Sequence, residues 1–312
     1  MKFLIVTLTA NPAIDLNFAA DRLAFDNRAY LLARSEAPGG RGVNASCVLD
    51  SFGVPTLAIA LSGGPAGRRF EKFLRGYGFG VHLVRIRGEI RTNYSITDRQ
   101  GLTVKLDERG PTLTAKEVQH LEQAVLDHLP GASWLLLCGS LPPGVPSDFY
   151  RRLIDQARAQ GVQTLLDTDG RPLQEGLEAH PSVVAPNQVE AERLLNRALV
   201  TRSQFHQAAE RIRAMGAESV ILSLGSRGVV AARGSRIIEV IPPRVDAVCP
   251  IGAGDALNAA FVWAISQGKD FLEALRWGVA AGTASARLPG LGFATLDQSR
   301  ELLAEVEVRA SE

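Results

Sequence analysis

Cysteine is scarce in this sequence of 312 residues, which contains only Cys47, Cys138 and Cys249. Three widely spaced thiols are too few for a disulfide framework and lack the spacing of a zinc site. A reducing compartment is their natural setting. The fold must therefore depend on its apolar core, and a hydrophobic content of 46% is ample for one large α/β domain or two smaller ones.

Net charge and long apolar runs are also lacking. The formal net charge is +1 at pH 7, and no run of like charges stands out, so no strong field exists to attract nucleic acid or an acidic membrane surface. No apolar stretch has the length that a bilayer requires. The N-terminal apolar run is short and enters a proline turn, which favours a first strand over a signal peptide. We expect a cytoplasmic protein whose partners are small molecules.

Short apolar runs alternate with longer segments of helical period along the chain. The apolar runs are Phe3–Leu8, Thr56–Leu61, Trp134–Cys138, Thr164–Asp167, Val183–Ala185 and Val220–Leu224. The helical segments include Gly42–Phe52, Ala115–Leu129, Ser147–Gln160 and Gln204–Met215. This alternation predicts an α/β fold with a mostly parallel sheet covered by helices on both faces. Ligands of such sheets bind outside the carboxyl ends of the strands.

Two stretches, Asp15–Ser35 and Val84–Leu106, do not follow this pattern. Polar and apolar residues alternate in Val84–Leu106, with Gly88 and Gly101 as turn points, and both stretches are typical of antiparallel strands. Because the two stretches are alike in character although distant in sequence, we expect them to pair as a small second sheet. Lying over the strand ends, that sheet would form a lid.

Residues 252–255, Gly-Ala-Gly-Asp, precede a segment of helical period that ends at Gly268. The first N–H groups of a helix have no intrahelical partner and its N-terminus is positive, so anions bind there. Glycine at 252 and 254 allows close approach of a phosphate, and Asp255 can accept a proton from a hydroxyl group. Since a helix N-terminus lowers the pKa of a carboxyl group, we expect Asp255 to be ionised at neutral pH. On its own, the motif is more often an ordinary loop-to-helix junction.

A second glycine motif, Pro38-Gly39-Gly40-Arg41-Gly42-Val43-Asn44, lies in the other half of the chain. Further motifs accompany these two, at Thr9–Asp15, Gly88–Asn93, Gly139–Gly144, Asp167–Gly170, Pro186–Glu190 and Ser223–Gly228. In their order and over nearly the whole chain, they resemble the PfkB-type sugar kinases of the ribokinase superfamily. The resemblance is strongest to the branch that acts on phosphorylated hexoses, namely the 1-phosphofructokinases, tagatose-6-phosphate kinases and minor 6-phosphofructokinases.

This resemblance implies an architecture and a reaction. The expected fold is a single three-layer ribokinase-like domain over residues 1–312, with lid strands inserted from about 12–36 and 86–107. The expected reaction transfers the γ-phosphoryl group of ATP, in the presence of Mg²⁺, to a primary hydroxyl of a phosphohexose. Fructose 1-phosphate ranks first as the substrate, tagatose 6-phosphate second and fructose 6-phosphate third.

The resemblance also implies catalytic and substrate-binding residues. The catalytic set is Asp255, as the base, with the N–H groups of Gly252, Ala253 and Gly254 stabilising charge on the moving phosphoryl group. The substrate-binding set is Asp15, Gly39, Gly40, Arg41, Asn44, Arg91, Lys105 and Ser140. Several of these residues also have an ordinary structural explanation. Asp15 and Asn44 can form turns or cap helices, the arginines can lie solvated on the surface, and Ser140 can belong to a plain loop.

The nucleotide and Mg²⁺ are expected in the second half of the chain. The implied nucleotide-binding residues are Asn187, Ser223, Gly225, Ser226, Gly228 and Gly254. Glu190, with Asn187 acting through water, is expected to arrange Mg²⁺, which retains several waters in proteins. A helix cap with a capping-box glutamate explains the same spacing, and a hairpin explains the turn after Ser223. The segment Ala281–Phe293 resembles the adenine-side wall, and no Walker A motif is present.

Two positions depart from the family pattern. Arg41 stands where the family commonly has Lys, which preserves the charge but replaces a compact ammonium with a larger planar fork. Cys249-Pro250-Ile251 precede the catalytic glycines where the family usually carries a Thr, so that a hydroxyl and an N–H are absent.

Rival functions differ in the residues that they need. A kinase of an unphosphorylated sugar or nucleoside would not need Arg91 and Arg41 as a second phosphate clamp. A non-catalytic nucleotide or sugar sensor would have no reason to keep Asp255, Asn187 and Glu190. A dinucleotide oxidoreductase would carry Gly-x-Gly-x-x-Gly after the first strand, which this sequence lacks. Exposed strand edges on a lid favour pairing with a second copy, so we expect a homodimer through the lid, with a covered edge as the alternative.

Overall fold

The computed structural model describes residues 4–24, 27–290 and 292–311. Its strands are β1 (Leu4–Thr9), β2 (Ala13–Ala20), β3 (Leu31–Gly39), β4 (Thr56–Ser62), β5 (Gly80–Arg85), β6 (Arg91–Asp98), β7 (Thr103–Asp107), β8 (Ala132–Cys138), β9 (Gln163–Asp167), β10 (Val183–Val184), β11 (Ser219–Ser223), β12 (Val229–Arg233), β13 (Arg236–Ile241) and β14 (Glu307–Ser311). Its helices are α1 (Arg41–Ser51), α2 (Gly64–Leu74), α3 (Ala115–Leu126), α4 (Phe149–Ala159), α5 (Gly170–Leu177), α6 (Gln188–Leu195), α7 (Arg202–Ala214), α8 (Ala253–Ser266), α9 (Phe271–Ala286) and α10 (Leu296–Leu303). The predicted apolar runs and helical segments coincide with strands and helices to within a few residues, except that Phe3 lies outside the described residues.

Ten of these strands form the central sheet, in the spatial order β14-β13-β12-β11-β10-β9-β8-β1-β4-β5. Every neighbouring pair from β11 to β5 is parallel, which confirms the expected mostly parallel sheet. β12, β13 and β14 add an antiparallel edge. The sequence analysis did not identify this edge, because no helical segment separates β11, β12 and β13.

Helices cover both faces of the central sheet. Phe261 lies fully buried in the apolar cluster under α1, α8 and α9, and Tyr150 lies in the cluster on the opposite face. α8 is buried along most of its length and packs against both α1 and α9. A Cβ atom at Gly282 of α9 would lie 2.8 Å from the carbonyl oxygen of Ala253, so this close packing holds the start of α8 in place. Among the described helices, none is long and apolar enough to cross a membrane.

The second sheet has four strands in the order β3-β2-β6-β7, and it brings together the two stretches that break the α/β alternation. β2 pairs with β3, and β6 with β7, in antiparallel fashion as expected. The contact between the two stretches is parallel instead, with β2 beside β6. β2 follows β1 and β6 follows β5, and since β1 and β5 point the same way in the central sheet, both chains leave it from the same edge. Val84 belongs to β5 rather than to the lid, and Phe25 and Asp26 of the predicted lid lie outside the described residues.

The chain reverses its winding direction around β1. From β1 it winds through β4 to β5 on one side, and then returns to β8 on the other side and continues through β9 to β11. Such a reversal opens a crevice at the carboxyl ends of the strands. The last residues of four strands, Thr9, Cys138, Asp167 and Ser223, line one cavity there.

Candidate active site

A cavity of about 500 Å³ lies at the carboxyl edge of the central sheet, between the sheet and the lid. Most of the residues singled out in the sequence line it: Asp15, Gly40, Arg41, Asn44, Arg91, Lys105, Ser140, Asn187, Glu190, Ser223, Gly252, Gly254 and Asp255. They come from both halves of the chain and from both sheets. The fold therefore brings one continuous set of candidate residues together.

Five of the expected residues do not line this cavity. These are Gly39, Ala253, Gly225, Ser226 and Gly228. Gly39 lies directly behind the cavity wall, since a Cβ atom there would lie 2.4 Å from the carboxyl group of Asp15. Gly225, Ser226 and Gly228 belong to the turn that connects the antiparallel strands β11 and β12, as the hairpin alternative predicts. Ser226 lines a separate groove of about 710 Å³ instead.

The start of α8 forms one wall of the cavity. Gly252 caps the helix with φ of 80°, a left-handed conformation that favours glycine. The N–H of Ala253 donates to the carbonyl oxygen of Pro250 at 3.2 Å and is used within the turn. Within the described residues, the N–H groups of Gly252 and Gly254 have no backbone acceptor. A Cβ atom at Gly254 would meet nothing within 4 Å, so the cavity is open beside this residue.

Asp255 is buried beside these N–H groups, with 8% of its surface exposed. The side-chain amide of Asn44 on α1 donates to Asp255 Oδ2 at 2.7 Å. Burial, followed by the charge of Asp167, raises the pKa of Asp255 to about 7. The expectation of a lowered pKa was therefore wrong, because loss of solvent and a like charge outweigh the stabilisation of a carboxylate by the helix N-terminus.

Arg41, the first residue of α1, is shared by two buried carboxylates. Its Nη1 group donates to Asp167 Oδ1, and its Nη2 group donates to Glu190 Oε1 at 2.8 Å. The second oxygen of Asp167 accepts a hydrogen bond of 3.0 Å from Asn258 on α8. The sequence analysis assigned no role to Asp167 or Asn258. The signals were present, since Asp167 ends an apolar strand and Asn258 lies three residues after Asp255 on the same helix face.

Asn187 and Glu190 form the helix cap that their spacing allows. Asn187 Oδ1 accepts from the N–H of Glu190 at 3.0 Å, and Glu190 Oε2 accepts from the N–H of Asn187 at 2.9 Å. Burial raises the pKa of Glu190, although the charge of Arg41 opposes this. Both side chains nevertheless line the cavity, and each of these oxygens has a second lone pair that can accept from water.

The lid closes the other end of the cavity with a mixture of charges. Asp15 accepts from the side-chain amide of Asn93 at 2.8 Å, and burial raises the pKa of Asp15. Arg91 is anchored by backbone carbonyls, with Nε 3.1 Å from the oxygen of Asn11 and Nη1 3.2 Å from that of Glu108. Burial lowers the pKa of Arg91. Lys105 on β7 also faces this part of the cavity.

The C-terminal part of the segment 281–293 packs against the loop that precedes α8. The N–H groups of Val248 and Cys249 donate to the carbonyl oxygen of Ala286 at 2.8 and 3.0 Å. A Cβ atom at Gly252 would lie 2.8 Å from the Phe293 ring. Leu291 lies outside the described residues. Through these contacts, α9 and the segment after it support the backbone of Gly252 and Gly254, whose N–H groups are unpaired.

Carboxylates outnumber cations in the lining of the cavity. The acidic side chains are Asp15, Asp107, Asp167, Asp169, Glu190 and Asp255, and the basic ones are Arg41, Arg91 and Lys105. Across the described ranges, no group of three or more His, Cys, Asp and Glu side chains is arranged to hold a metal ion. Mg²⁺ that binds together with phosphates usually keeps several waters and does not need such a group.

Comparison with known proteins identifies relatives over the full length of this chain. The model of the pfkB family of carbohydrate kinases matches residues 2–298. Tagatose-6-phosphate kinase from Staphylococcus epidermidis is 29% identical over 308 residues, which are 98% of this chain and 99% of that protein. 1-Phosphofructokinase from Borreliella burgdorferi is 28% identical over 284 residues, 91% of this chain and 92% of that protein. The crystal structure of phosphofructokinase-2 from Escherichia coli with substrates and products has a TM-score of 0.90 at 30% identity, covering 96% of this chain and 98% of that one. The same protein has been solved as a tetrameric inhibited form.

The raised pKa of Asp255 makes stability depend on pH. Between an ordinary pKa of 3.8 in the unfolded chain and about 7 in the folded one, the folded state binds more protons, so stability falls as pH rises. We expect Asp255→Asn to remove this dependence. Between pH 5 and pH 8, the free energy of unfolding of the wild type should therefore fall by on the order of 2 kcal/mol more than that of the variant. Urea unfolding of the ligand-free protein at both pH values measures it.

The matched control is Asp297→Asn, which changes an exposed carboxylate in the first turn of α10. It should follow the pH dependence of the wild type. If the free energy of unfolding changes equally with pH in the wild type and in Asp255→Asn, Asp255 does not have a raised pKa.

Proposed function

This chain belongs to the pfkB family of carbohydrate kinases, and we propose that its cavity transfers the γ-phosphoryl group of ATP to a primary hydroxyl of a phosphohexose, with fructose 1-phosphate as the leading substrate and fructose 1,6-bisphosphate as the product. Tagatose 6-phosphate and fructose 6-phosphate are the alternatives. The observation that carries the proposal is the position of Asp255, a buried carboxylate beside two unpaired N–H groups in the cavity that Arg91 also lines.

In the proposed step, the sugar hydroxyl oxygen bonds to the γ-phosphorus while the bond from that phosphorus to the β–γ bridging oxygen breaks. ADP leaves, and the hydroxyl proton passes to the carboxylate of Asp255. A base whose pKa lies near the working pH is suited to this transfer. The N–H groups of Gly252 and Gly254 stabilise charge on the moving phosphoryl group, and most of the rate enhancement comes from positioning and electrostatics.

The excess of carboxylates supports a requirement for Mg²⁺. A cavity with six acidic and three basic side chains repels ATP unless cations accompany the nucleotide. Glu190 and Asn187 would hold Mg²⁺ through water, by the free lone pairs of their oxygens. The bound ion would neutralise charge on the phosphates. The nucleotide would lie between these residues and the turn that contains Ser223, Gly225, Ser226 and Gly228.

The substrate would bind at the lid end of the cavity. Short polar groups of Asp15, Asn44 and Ser140 face the space that sugar hydroxyls would occupy. Arg91 and Lys105 supply cations for the existing phosphate of the sugar, and a planar guanidinium suits a phosphate group well. Arg41 is already paired with two carboxylates, which favours Arg91 over Arg41 as the phosphate clamp.

We further propose that the chain forms a single kinase domain with an inserted lid and that it works in the cytoplasm.

A coupled assay of ADP release tests the proposed function. The three phosphohexoses, fructose and ribose are compared at equal concentrations with ATP and Mg²⁺. We expect turnover with a phosphohexose, and a loss of about 10²–10⁴-fold in kcat for Asp255→Asn because the proton acceptor is removed. Nucleotide binding, measured separately by calorimetry, should stay nearly unchanged. Turnover of fructose or ribose alone would point to a kinase of unphosphorylated substrates, and no turnover of any sugar would favour a non-catalytic sensor.

Arg91→Gln tests the phosphate clamp. Loss of a charge-assisted contact with the sugar phosphate should lower kcat/KM for the phosphohexose about 10- to 100-fold. Activity with unphosphorylated fructose, however low, should change little. Arg87→Gln is the control, because Arg87 is exposed in the connection that leads from β5 into β6 and does not line the cavity. Equal losses with both sugars would assign Arg91 a structural role instead.

We also propose that the lid pairs with that of a second copy. Its outer strands β3 and β7 have no further strand partner within the described residues, and Leu31 and Leu106 on them are 60% and 57% exposed. Joint substitution Leu31→Glu and Leu106→Glu should convert a dimer to a monomer in sedimentation velocity, since charges are poorly tolerated within an interface. Val200→Glu changes an apolar residue that is 73% exposed outside the lid and should leave the dimer intact. A monomeric wild type would contradict the proposal.

A further inference from the structure

Arg41 joins two acidic side chains that belong to different elements. Asp167 ends β9 and Glu190 lies in the first turn of α6, and their side chains are only 7% and 5% exposed. One planar guanidinium presents two separate arms to them, which a lysine ammonium cannot do. The departure from the common family residue at position 41 therefore has a structural consequence, because a forked cation spans both carboxylates.

Asp255 has no such partner, although it belongs to the same carboxylate cluster of Asp167, Glu190 and Asp255. Its hydrogen-bond partner is the neutral amide of Asn44. The charged and titratable groups that face Asp255 are Asp167 on β9, Arg41 on α1, Asp15 on β2 and the thiol of Cys138 on β8. Three buried carboxylates near one cation cannot all remain ionised without a large cost.

Resting on the proposed function, we propose that Arg41 is a positioning residue: it pairs with Asp167 and Glu190 and thereby leaves Asp255 as the carboxylate of the cluster that takes up the proton of the substrate hydroxyl. Asp167 is held on its other oxygen by Asn258, so its orientation is fixed from both sides. Arg41 acts through these carboxylates and through its charge, and it makes no bond to Asp255.

Substitution of Arg41 separates this role from a merely structural one. Arg41→Gln removes the cation, which raises the pKa of Asp255 further, because the charge of Arg41 lowers it in the wild type. The acid limb of the kcat/KM profile with the accepted phosphohexose should move about one unit to higher pH. Arg41→Lys keeps the charge but loses the two-armed guanidinium. The acid limb of its kcat/KM profile should therefore lie close to that of the wild type, while its kcat stays below the wild-type value.

Arg152 provides a matched control within the same chain. It also joins two carboxylates, with Nε 3.0 Å from Glu122 and Nη1 2.6 Å from Asp148, and its side chain is 36% exposed, as is that of Arg41. It does not line the cavity. Arg152→Gln should leave the pH profile at the wild-type position. If Arg41→Gln lowers kcat/KM equally at every pH, the proposed role is wrong.

A second measurement does not depend on catalysis. In urea unfolding of the ligand-free protein, Arg41→Gln should destabilise more at pH 8 than at pH 5, because Asp255 without the nearby cation retains its proton to higher pH only in the folded state. Arg152→Gln should show the same small loss at both values. Equal destabilisation of Arg41→Gln at pH 5 and pH 8 would overturn the role. If no phosphohexose is turned over, the proposed function fails, whereas this comparison still decides the role of Arg41.

Discussion

Repulsion among buried carboxylates that face one cavity is the constraint on which the rest of the site depends. Asp167, Glu190 and Asp255 lie at the carboxyl edge of the central sheet with little access to solvent. Arg41 offsets two of these charges, and the amide of Asn44 supports the third. Burial raises the pKa of Asp255 to about 7. Under the proposed function, the same arrangement would provide a proton acceptor and attract the cations that accompany a nucleotide.

The fold places this cluster by means of strand direction. β1 is flanked by strands that are reached in opposite winding directions, so that a crevice opens where Thr9, Cys138 and Asp167 end their strands. α1 and α8 start at the same edge and direct their N-termini toward it. α9 packs closely against the first turn of α8, where Gly282 approaches the carbonyl of Ala253, and this contact supports the turn that carries the two unpaired N–H groups. Donors placed in this way would suit the proposed reaction, because preorganised donors need no rearrangement while charge develops.

Much of the fold could be predicted because apolar runs and helical periodicity are local properties. The alternation of strands and helices, the second sheet and the helix after Gly252 were all predicted correctly. The parallel contact between β2 and β6 was not, since strand direction depends on where each chain leaves the central sheet. The antiparallel edge from β12 to β14 was missed as well, because no helix separates β11, β12 and β13, and β14 pairs with β13 only after three intervening helices.

The amino-acid sequence was enough to predict most of the strands and helices, the glycine turns and the family, because these depend on neighbouring residues and on motifs in a fixed order. Only the tertiary structure decided the ionisation of Asp255 and the partners of Arg41. A helix N-terminus acts on its own first turn and favours a charged aspartate, whereas Asp167 and the surrounding apolar packing come from distant segments and favour the protonated form. The electrostatics of the site follow from which buried charges the fold brings together, and that information is not local to any motif.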